Sequence, residues 1–212
     1  LQAAASVAGA QSTSSGDSSI VINGASLAGT RQSLDRCIAR HCPPDEEIRA
    51  FMRYANQQFL AGDYDNARQT IANARHRNDR YAKSFPEPVS NLARAAVKLA
   101  TVNGRPGEAM SASLDALDAL KGGLSVEDPT IMMQRLELGD QFARQGRLEE
   151  ASAVYAKVAE QGRAAGNVTV EGHALYRDAV LFSAVASVNS LYRSRARKAI
   201  ARIADHPEPG FA

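Results

Sequence analysis

The chain has 212 residues, of which 39 are Ala and only 6% aromatic, with no Trp and a formal net charge of +2. An Ala-rich, aromatic-poor composition favours closely packed helices and argues against a β-sandwich or barrel. The near-neutral charge argues against a nucleic-acid partner, and no apolar run reaches the ~18 residues that a membrane span requires.

The N-terminal region, residues 1–30, consists mostly of Ala, Ser and Gly and has one charged residue, Asp17. This composition buries too little apolar surface to offset the entropy lost on ordering, so we expect a flexible arm. Residues 8–10 (Ala-Gly-Ala) have the small-x-small shape of a signal-peptidase site, and a linker from an upstream membrane anchor is the alternative; both imply export. Within the arm, residues 19–22 are predicted as a short strand.

Apolar periodicity and Pro and Gly punctuation predict helices along the rest of the chain. A short helix is expected at 31–41, where Pro43 and Pro44 follow. Four helix pairs are predicted at 45–61 and 64–78, 88–103 and 106–121, 129–145 and 148–164, and 168–187 and 190–204. Pro207 and Pro209 end this structure and leave a tail at 207–212.

Three glycines recur at intervals of 42 residues, and an alanine follows each of them five residues later. The glycines are Gly62, Gly104 and Gly146, and the alanines are Ala67, Ala109 and Ala151. This pattern resembles the tetratricopeptide repeat (TPR) family, whose unit is a pair of antiparallel helices. The resemblance implies an all-α fold, a right-handed superhelix of such pairs, over residues 31–206. The repeats would span about 45–86, 87–128 and 129–166, with a degenerate pair at 167–204.

The resemblance also assigns packing roles. The small residue early in the first helix of a pair corresponds to Ala55 and Gly139, with Val97 a departure in the middle copy, and a small residue there lets two helix axes approach closely. The large residue of the second helix corresponds to Ile71 and Tyr155. Five aromatic residues at helical spacing are predicted to be core: Tyr54, Phe59, Tyr64, Phe142 and Tyr155.

By the same resemblance, the chain is a non-enzymatic scaffold that binds a peptide or partner protein in a concave groove formed by the first helix of each pair. The predicted groove residues are Arg49, Met52, Asn56, Phe59, Arg94, Lys98, Leu136, Asp140 and Arg144. The cations among them favour an acidic segment or a C-terminal carboxylate as ligand, and an unoccupied solvated surface is the alternative. The family's carboxylate clamp is matched only in part: Asn56 fits it, whereas Met52 and Leu136 stand where it would place a cation.

The sequence contains none of the common nucleotide-binding, zinc-protease, hydrolase or EF-hand motifs, so we expect no catalytic residue, no cofactor and no metal. Asp115 and Asp118 lie three residues apart on one helical face, where a solvated surface is favoured over a paired-carboxylate site. The basic run at 193–202 is typical of an exposed face near a helix end. A contact with phosphate or an anionic membrane is the alternative for that run.

Cys37 and Cys42 are the only cysteines, and their even count, close spacing and export-like N-terminus predict a disulfide. Their side chains would point about 140° apart in a continuous helix, so the helix must loosen before Cys42, and Pro43 supplies the reason. Two free thiols in a cytosolic protein are one alternative. A metal site that includes His41 is another, although it lacks a fourth ligand.

The segments 37–44 and 58–64 resemble exported repeat proteins of Gram-negative bacteria. We therefore expect a periplasmic or otherwise exported protein. The alternative to a free-standing scaffold is a periplasmic repeat segment of a longer envelope protein, such as a TonB-type energy transducer or a sensor.

Overall fold

The computed structural model describes residues 26–206. Predictions for residues 1–25 and 207–212 lie outside the described residues; they comprise the signal-peptidase site, the strand at 19–22, most of the flexible arm and the tail. Within residues 26–206, all regular structure is helical. The predicted all-α class is therefore confirmed for this part of the chain.

Over the described residues, nine α-helices are joined by short turns. They are α1 (Leu27–Ala39), α2 (Pro44–Leu60), α3 (Tyr64–Asn78), α4 (Pro86–Val102), α5 (Pro106–Lys121), α6 (Pro129–Arg144), α7 (Leu148–Ala164), α8 (Val168–Ala186) and α9 (Arg193–Ala204). Short 3-10 turns at Asp79–Tyr81 and Ser190–Tyr192 precede α4 and α9. The bounds of α2 to α8 lie within two residues of the predicted ones.

The first helix begins earlier than the sequence predicts. It starts at Leu27 rather than at residue 31, because the Ser26 hydroxyl caps it by accepting a hydrogen bond from the Gly29 amide at 3.1 Å. Thr30 and Leu34 are both buried, so the first turn of α1 already belongs to the packed structure. The predicted boundary of the arm at residue 30 is corrected accordingly.

The repeat glycines end the first helix of each pair. Gly62, Gly104 and Gly146 have φ angles of 78°, 65° and 73°, a left-handed conformation that glycine adopts without steric cost. The chain then reverses, and the amide after the glycine reaches back to the helix, as Asp63 N does to Gln58 O at 2.9 Å. These turns place consecutive helices side by side and antiparallel.

Small residues stand where the two helices of a pair cross, as predicted. Ala67, Ala109 and Ala151 are at most 1% exposed. Gly139 lies directly against Tyr155: a Cβ atom at Gly139 would lie 2.5 Å from Cε1 of the tyrosine ring. The size of these residues therefore sets the distance between the paired helices.

The buried side chains form two main clusters, one in each half of the stack. The N-terminal cluster lies mostly in α1 to α4 and includes Ile48, Ile71 and Leu92, whereas the C-terminal cluster lies in α6 to α9 and includes Leu136 and Phe182. A smaller cluster on α5 and α6 lies between them. This arrangement is typical of a repeat stack, in which each unit packs only on its neighbours.

One predicted core aromatic residue lies at the surface instead. Tyr64 is 38% exposed and contacts Phe59 edge-to-face, with ring centroids 5.2 Å apart. Tyr64 is the first residue of α3, immediately after its cap Asp63, and at this position its ring covers the end of α2 rather than entering the interior. Tyr155 is fully buried, while Tyr54, Phe59 and Phe142 are half-buried.

Candidate peptide-binding groove

The first helices of the pairs, α2, α4, α6 and α8, share one side of the stack and line a cavity of about 1070 Å³. Eight of the nine predicted groove residues line it: Arg49, Met52, Asn56, Phe59, Arg94, Lys98, Asp140 and Arg144. The structure therefore brings together on one surface residues that are up to 95 positions apart in the sequence.

Leu136 is the exception, and its prediction is wrong. Its side chain is 0% exposed and belongs to the C-terminal buried cluster. It is the counterpart of Arg94 in the repeat spacing, but the apolar stripe of α6 formed by Met132 and Leu136 faces the interior. The next residue, Glu137, takes the position in the groove.

The analysis of the sequence missed several groove residues. On α6 a polar stripe at i, i+3, i+4 and i+7 carried the signal, and its members are Glu137, Asp140, Gln141 and Arg144. Arg53, Glu87, Asn91 and Arg177 also line the cavity. Arg177 lies in the degenerate fourth pair, where no repeat position pointed to it.

Contacts that involve a cation join each neighbouring pair of groove helices. The Lys98 ammonium on α4 lies 4.6 Å from the centre of the Phe59 ring on α2. Arg94 on α4 donates through Nε to Glu137 Oε2 on α6 at 2.9 Å. Because these contacts cross from one repeat to the next, they couple the lining of the groove to the packing of the stack.

The C-terminal end of the groove is held by a polar network around Asp140. The Tyr155 hydroxyl donates to Asp140 Oδ1 at 2.7 Å, and Arg177 Nε on α8 donates to both carboxylate oxygens at 3.2 Å. Burial, followed by the hydrogen bond to Asp140, raises the pKa of Tyr155 well above its ordinary value, so the tyrosine stays protonated and keeps donating. Asp140 is therefore an oriented structural acceptor rather than an acid available to a ligand.

The lining has an excess of positive charge. It carries six cationic side chains, those of Arg49, Arg53, Arg94, Lys98, Arg144 and Arg177, against three carboxylates, those of Glu87, Glu137 and Asp140. Arg94 and Arg177 neutralise two of these carboxylates. The surface that remains is positive and includes the apolar groups of Met52 and Phe59.

The other candidates from the sequence are placed in structural contacts. Asp115 pairs with Arg75 at 2.6 Å, and Asp118 pairs with Lys121 at 3.1 Å, so the two carboxylates do not share a site. In the basic run, Arg202 lies 3.6 Å from Asp178. Among residues 26–206, no group of three or more His, Cys, Asp or Glu side chains is placed to hold a metal ion. No helix in the same range is long and apolar enough to cross a membrane.

Cys37 and Cys42 are placed as a bonded pair, with their Cα atoms 5.2 Å apart. The helix does loosen before Cys42, but the main cause is His41 rather than Pro43. His41 has a φ of 51°, the same left-handed conformation as the repeat glycines, and the Cys42 amide bonds back to Cys37 O at 3.1 Å. This reversal returns Cys42 to the side of α1 that carries Cys37.

No protein-family model matches the chain, and no curated protein matches it in sequence. Solved structures do match its fold. The crystal structure of BtubC (BKLC) from P. vanneervenii is 18% identical, with a TM-score of 0.65 over 83% of this chain and 70% of that chain. A putative kinesin light chain from Podosopora anserina with nearly identical TPR-like repeats matches at a TM-score of 0.61 and 13% identity, over 83% of this chain and 86% of that chain. A second crystal structure of that kinesin light chain, of a substituted form, matches at 0.63 and 14%, over 83% and 82%.

These similarities show the fold. The chain is a TPR-like stack of antiparallel helix pairs, as its repeat spacing predicted. At such low identities the matches carry no information about ligands, since one fold supports many functions.

Proposed function

We propose that this chain is a non-enzymatic scaffold that holds an extended peptide, or an extended segment of a partner protein, in the groove formed by α2, α4, α6 and α8. The observation that carries the proposal is the continuous concave cavity of about 1070 Å³ across all four repeats. Apolar surface at Met52 and Phe59 would bury side chains of the ligand, and amides such as Asn56 would bond its backbone.

The charge of the lining supports an acidic ligand or one that ends in a free carboxylate. Lys98 and Arg144 project into the groove from different repeats, while Arg94 is already paired with Glu137. A ligand carboxylate that approaches Arg94 would compete with Glu137 for the guanidinium. The balance between these two acids then tunes the affinity.

The non-enzymatic assignment is supported by the roles of the groups whose pKa values are displaced. Glu47, Tyr155 and Asp178 each have a displaced pKa, and each is bonded to a neighbouring helix. Displacement of this kind also occurs in structural networks and does not require catalysis.

A library of acidic peptides, each made with a free and with an amidated C-terminus, tests the proposal on the full chain. For the best binder, Arg94→Gln combined with Lys98→Gln is expected to weaken binding by about fivefold, with a larger effect at low salt. Glu137→Gln is expected to act in the opposite direction and tighten binding, because it frees Arg94. The charge-matched control is Arg68→Gln combined with Arg193→Gln, at two exposed positions outside the groove. Unchanged affinity in the Arg94 and Lys98 double variant would remove the groove as the binding site.

We further propose that the protein works in the periplasm or another oxidising compartment, as a free-standing scaffold or as a repeat segment of a longer envelope protein such as a TonB-type transducer or sensor. The pairing of Cys37 with Cys42 supports this location, since disulfides persist in oxidising compartments. Intact mass after alkylation, with and without reductant, tests it on protein purified from the envelope. Two alkylated thiols without reductant would contradict both the bridge and the location.

A further inference from the structure

A second, smaller cavity of about 440 Å³ lies between α1 and α2, next to the groove. A stripe from each helix forms its walls. These stripes are Ser33, Arg36, Cys37 and Arg40 on α1, and Glu46, Arg49, Ala50 and Arg53 on α2. The helical spacing of both sets shows that the two helices present matching faces to each other.

Four guanidinium groups and one carboxylate line this cleft. Its floor is apolar, since Cys37 and Ala50 are buried, whereas the four arginines are exposed and reachable. Within the described residues, Arg49 has a carboxylate partner 2.8 Å away on its own helix. Arg36 and Arg40 donate only to uncharged oxygen atoms of α1, at 3.3–3.5 Å. Four like charges around one cleft are a match for an anion, and the planar fork of arginine suits carboxylates in particular.

The cleft and the groove are continuous. Arg49 and Arg53 line both cavities, so a ligand that lies along α2 in the groove reaches the cleft without leaving the protein surface. The remaining arginines of the cleft, Arg36 and Arg40, come from α1, which lies outside the predicted helix pairs. The cleft thus extends the positive surface beyond the repeats at one end.

We propose that this α1–α2 cleft is an anion subsite of the groove, which takes two or more adjacent carboxylates from the acidic end of the bound peptide. The inference rests on the proposed peptide-binding function and adds the position of the acidic cluster. It also makes α1 a binding element rather than only a cover for the first repeat. Because Cys37 forms the floor of the cleft and is paired with Cys42, the bridge holds the end of α1 that carries Arg36 and Arg40.

Fluorescence anisotropy with a labelled octaglutamate peptide tests the subsite on the full chain. Arg36→Gln combined with Arg40→Gln is expected to weaken binding by about fivefold, since two charge-assisted contacts are lost. Glu46→Gln is expected to strengthen binding, because it removes the one acid of the cleft. The control, Arg68→Gln combined with Arg193→Gln, changes the net charge of the protein by the same amount at exposed positions that line neither cavity. Circular dichroism melting checks that each variant is folded.

The outcomes separate the subsite from the groove. If the Arg94 and Lys98 double variant weakens binding while the Arg36 and Arg40 double variant binds like the wild type, the groove stands and the subsite is wrong. If the control weakens binding as much as the cleft variant does, the attraction is non-specific and the subsite is wrong. If octaglutamate does not bind at all, the acidic subsite is overturned, and the groove remains testable with the peptide library.

Discussion

The two ends of the stack are closed in different ways. At the N-terminal end, α1 packs Leu34 and Cys37 into the buried cluster, and the Cys37–Cys42 pair holds its last turn. At the C-terminal end, α9 contributes the apolar stripe Ala196, Ala199 and Ile203. Two ion pairs then tie α9 to α7 and α8, namely Arg195 with Glu149 and Arg202 with Asp178, and of these four side chains only that of Asp178 is buried.

The difference shows two solutions to one problem. A terminal repeat has an apolar face without a neighbour, so a stack needs a cover at each end. The N-terminal cover is short in buried apolar groups and has a covalent link, whereas the C-terminal cover relies on packing and on a carboxylate buried between helices. The two ends should therefore respond differently to overpacking, reduction and pH.

The largest effect is expected from overpacking equivalent positions in the two halves. Ala67→Leu and Ala151→Leu each place a larger side chain at a site that is 0% exposed, which should cost about 1–3 kcal/mol of unfolding free energy. Hydrogen exchange should show the first change loosening α1 to α4 and the second loosening α6 to α9, because each half has its own cluster. The control is Ala72→Leu, the same substitution at an exposed position of α3. Equal loss of protection along the whole chain would show that the halves unfold as one unit.

Removing the covalent link should act at one end only. Cys37→Ala combined with Cys42→Ala is expected to cost roughly 2 kcal/mol by the chain-entropy argument for so short a loop. Protection against hydrogen exchange should fall in α1 and the start of α2, with little change in α8 and α9. Wild-type protein in reductant serves as the matched comparison. If the α1 amides exchange equally slowly with and without the cysteines, packing alone closes this end.

His41 offers a smaller change with the opposite sign. Its left-handed backbone costs a side chain about 1 kcal/mol, and His41→Gly should recover much of this and stabilise the N-terminal end. Gly62→Ala is the reciprocal experiment. A Cβ atom there would meet no other atom within 4 Å, so its cost of about 1 kcal/mol is conformational only. Thermal melting of both variants measures the two shifts, and a destabilised His41→Gly protein would mean that the imidazole makes a contact worth more than the backbone strain.

The smallest effect is a difference in pH dependence between the ends. A hydrogen bond from Arg77 holds the pKa of Glu47, in α2, below its ordinary 4.5, so this pair stabilises the fold above that pH and its contribution is lost as the pH falls through the lowered pKa. Burial raises the pKa of Asp178, in α8, above its ordinary 3.8. The stability that Asp178 contributes is therefore fully present below 3.8 and is lost as the pH rises through the raised pKa.

Unfolding curves between about pH 3 and pH 7 compare the wild type with Glu47→Gln and with Asp178→Asn. The advantage of the wild type over Glu47→Gln should shrink as the pH falls. Relative to Asp178→Asn, the wild type should instead lose stability as the pH rises. Parallel curves for all three proteins would contradict the opposite behaviour of the two ends.

Much of the candidate site followed from the repeat pattern, because residues 42 apart occupy equivalent places in neighbouring pairs. That spacing located the groove residues on α2 and α4 correctly. It failed at Leu136, because the rotation of α6 about its own axis depends on which stripe packs against α7 and α8. It also offered no guide to Arg177, since the fourth pair lacks the repeat glycine, or to the cleft, which requires α1 and α2 to face each other.

The sequence by itself determined the helices, their pairing and the turns that reverse the chain. These features depend on local interactions: apolar periodicity within a helix, prolines at the first turns, and glycines that adopt a left-handed conformation. Only the tertiary structure decided which helix faces line the groove, which charges neutralise each other across repeats, and that His41 takes a glycine's conformation. Those outcomes depend on contacts between residues far apart in the chain, such as Arg94 with Glu137 and Arg177 with Asp140, whose geometry is set by the packing of whole helices.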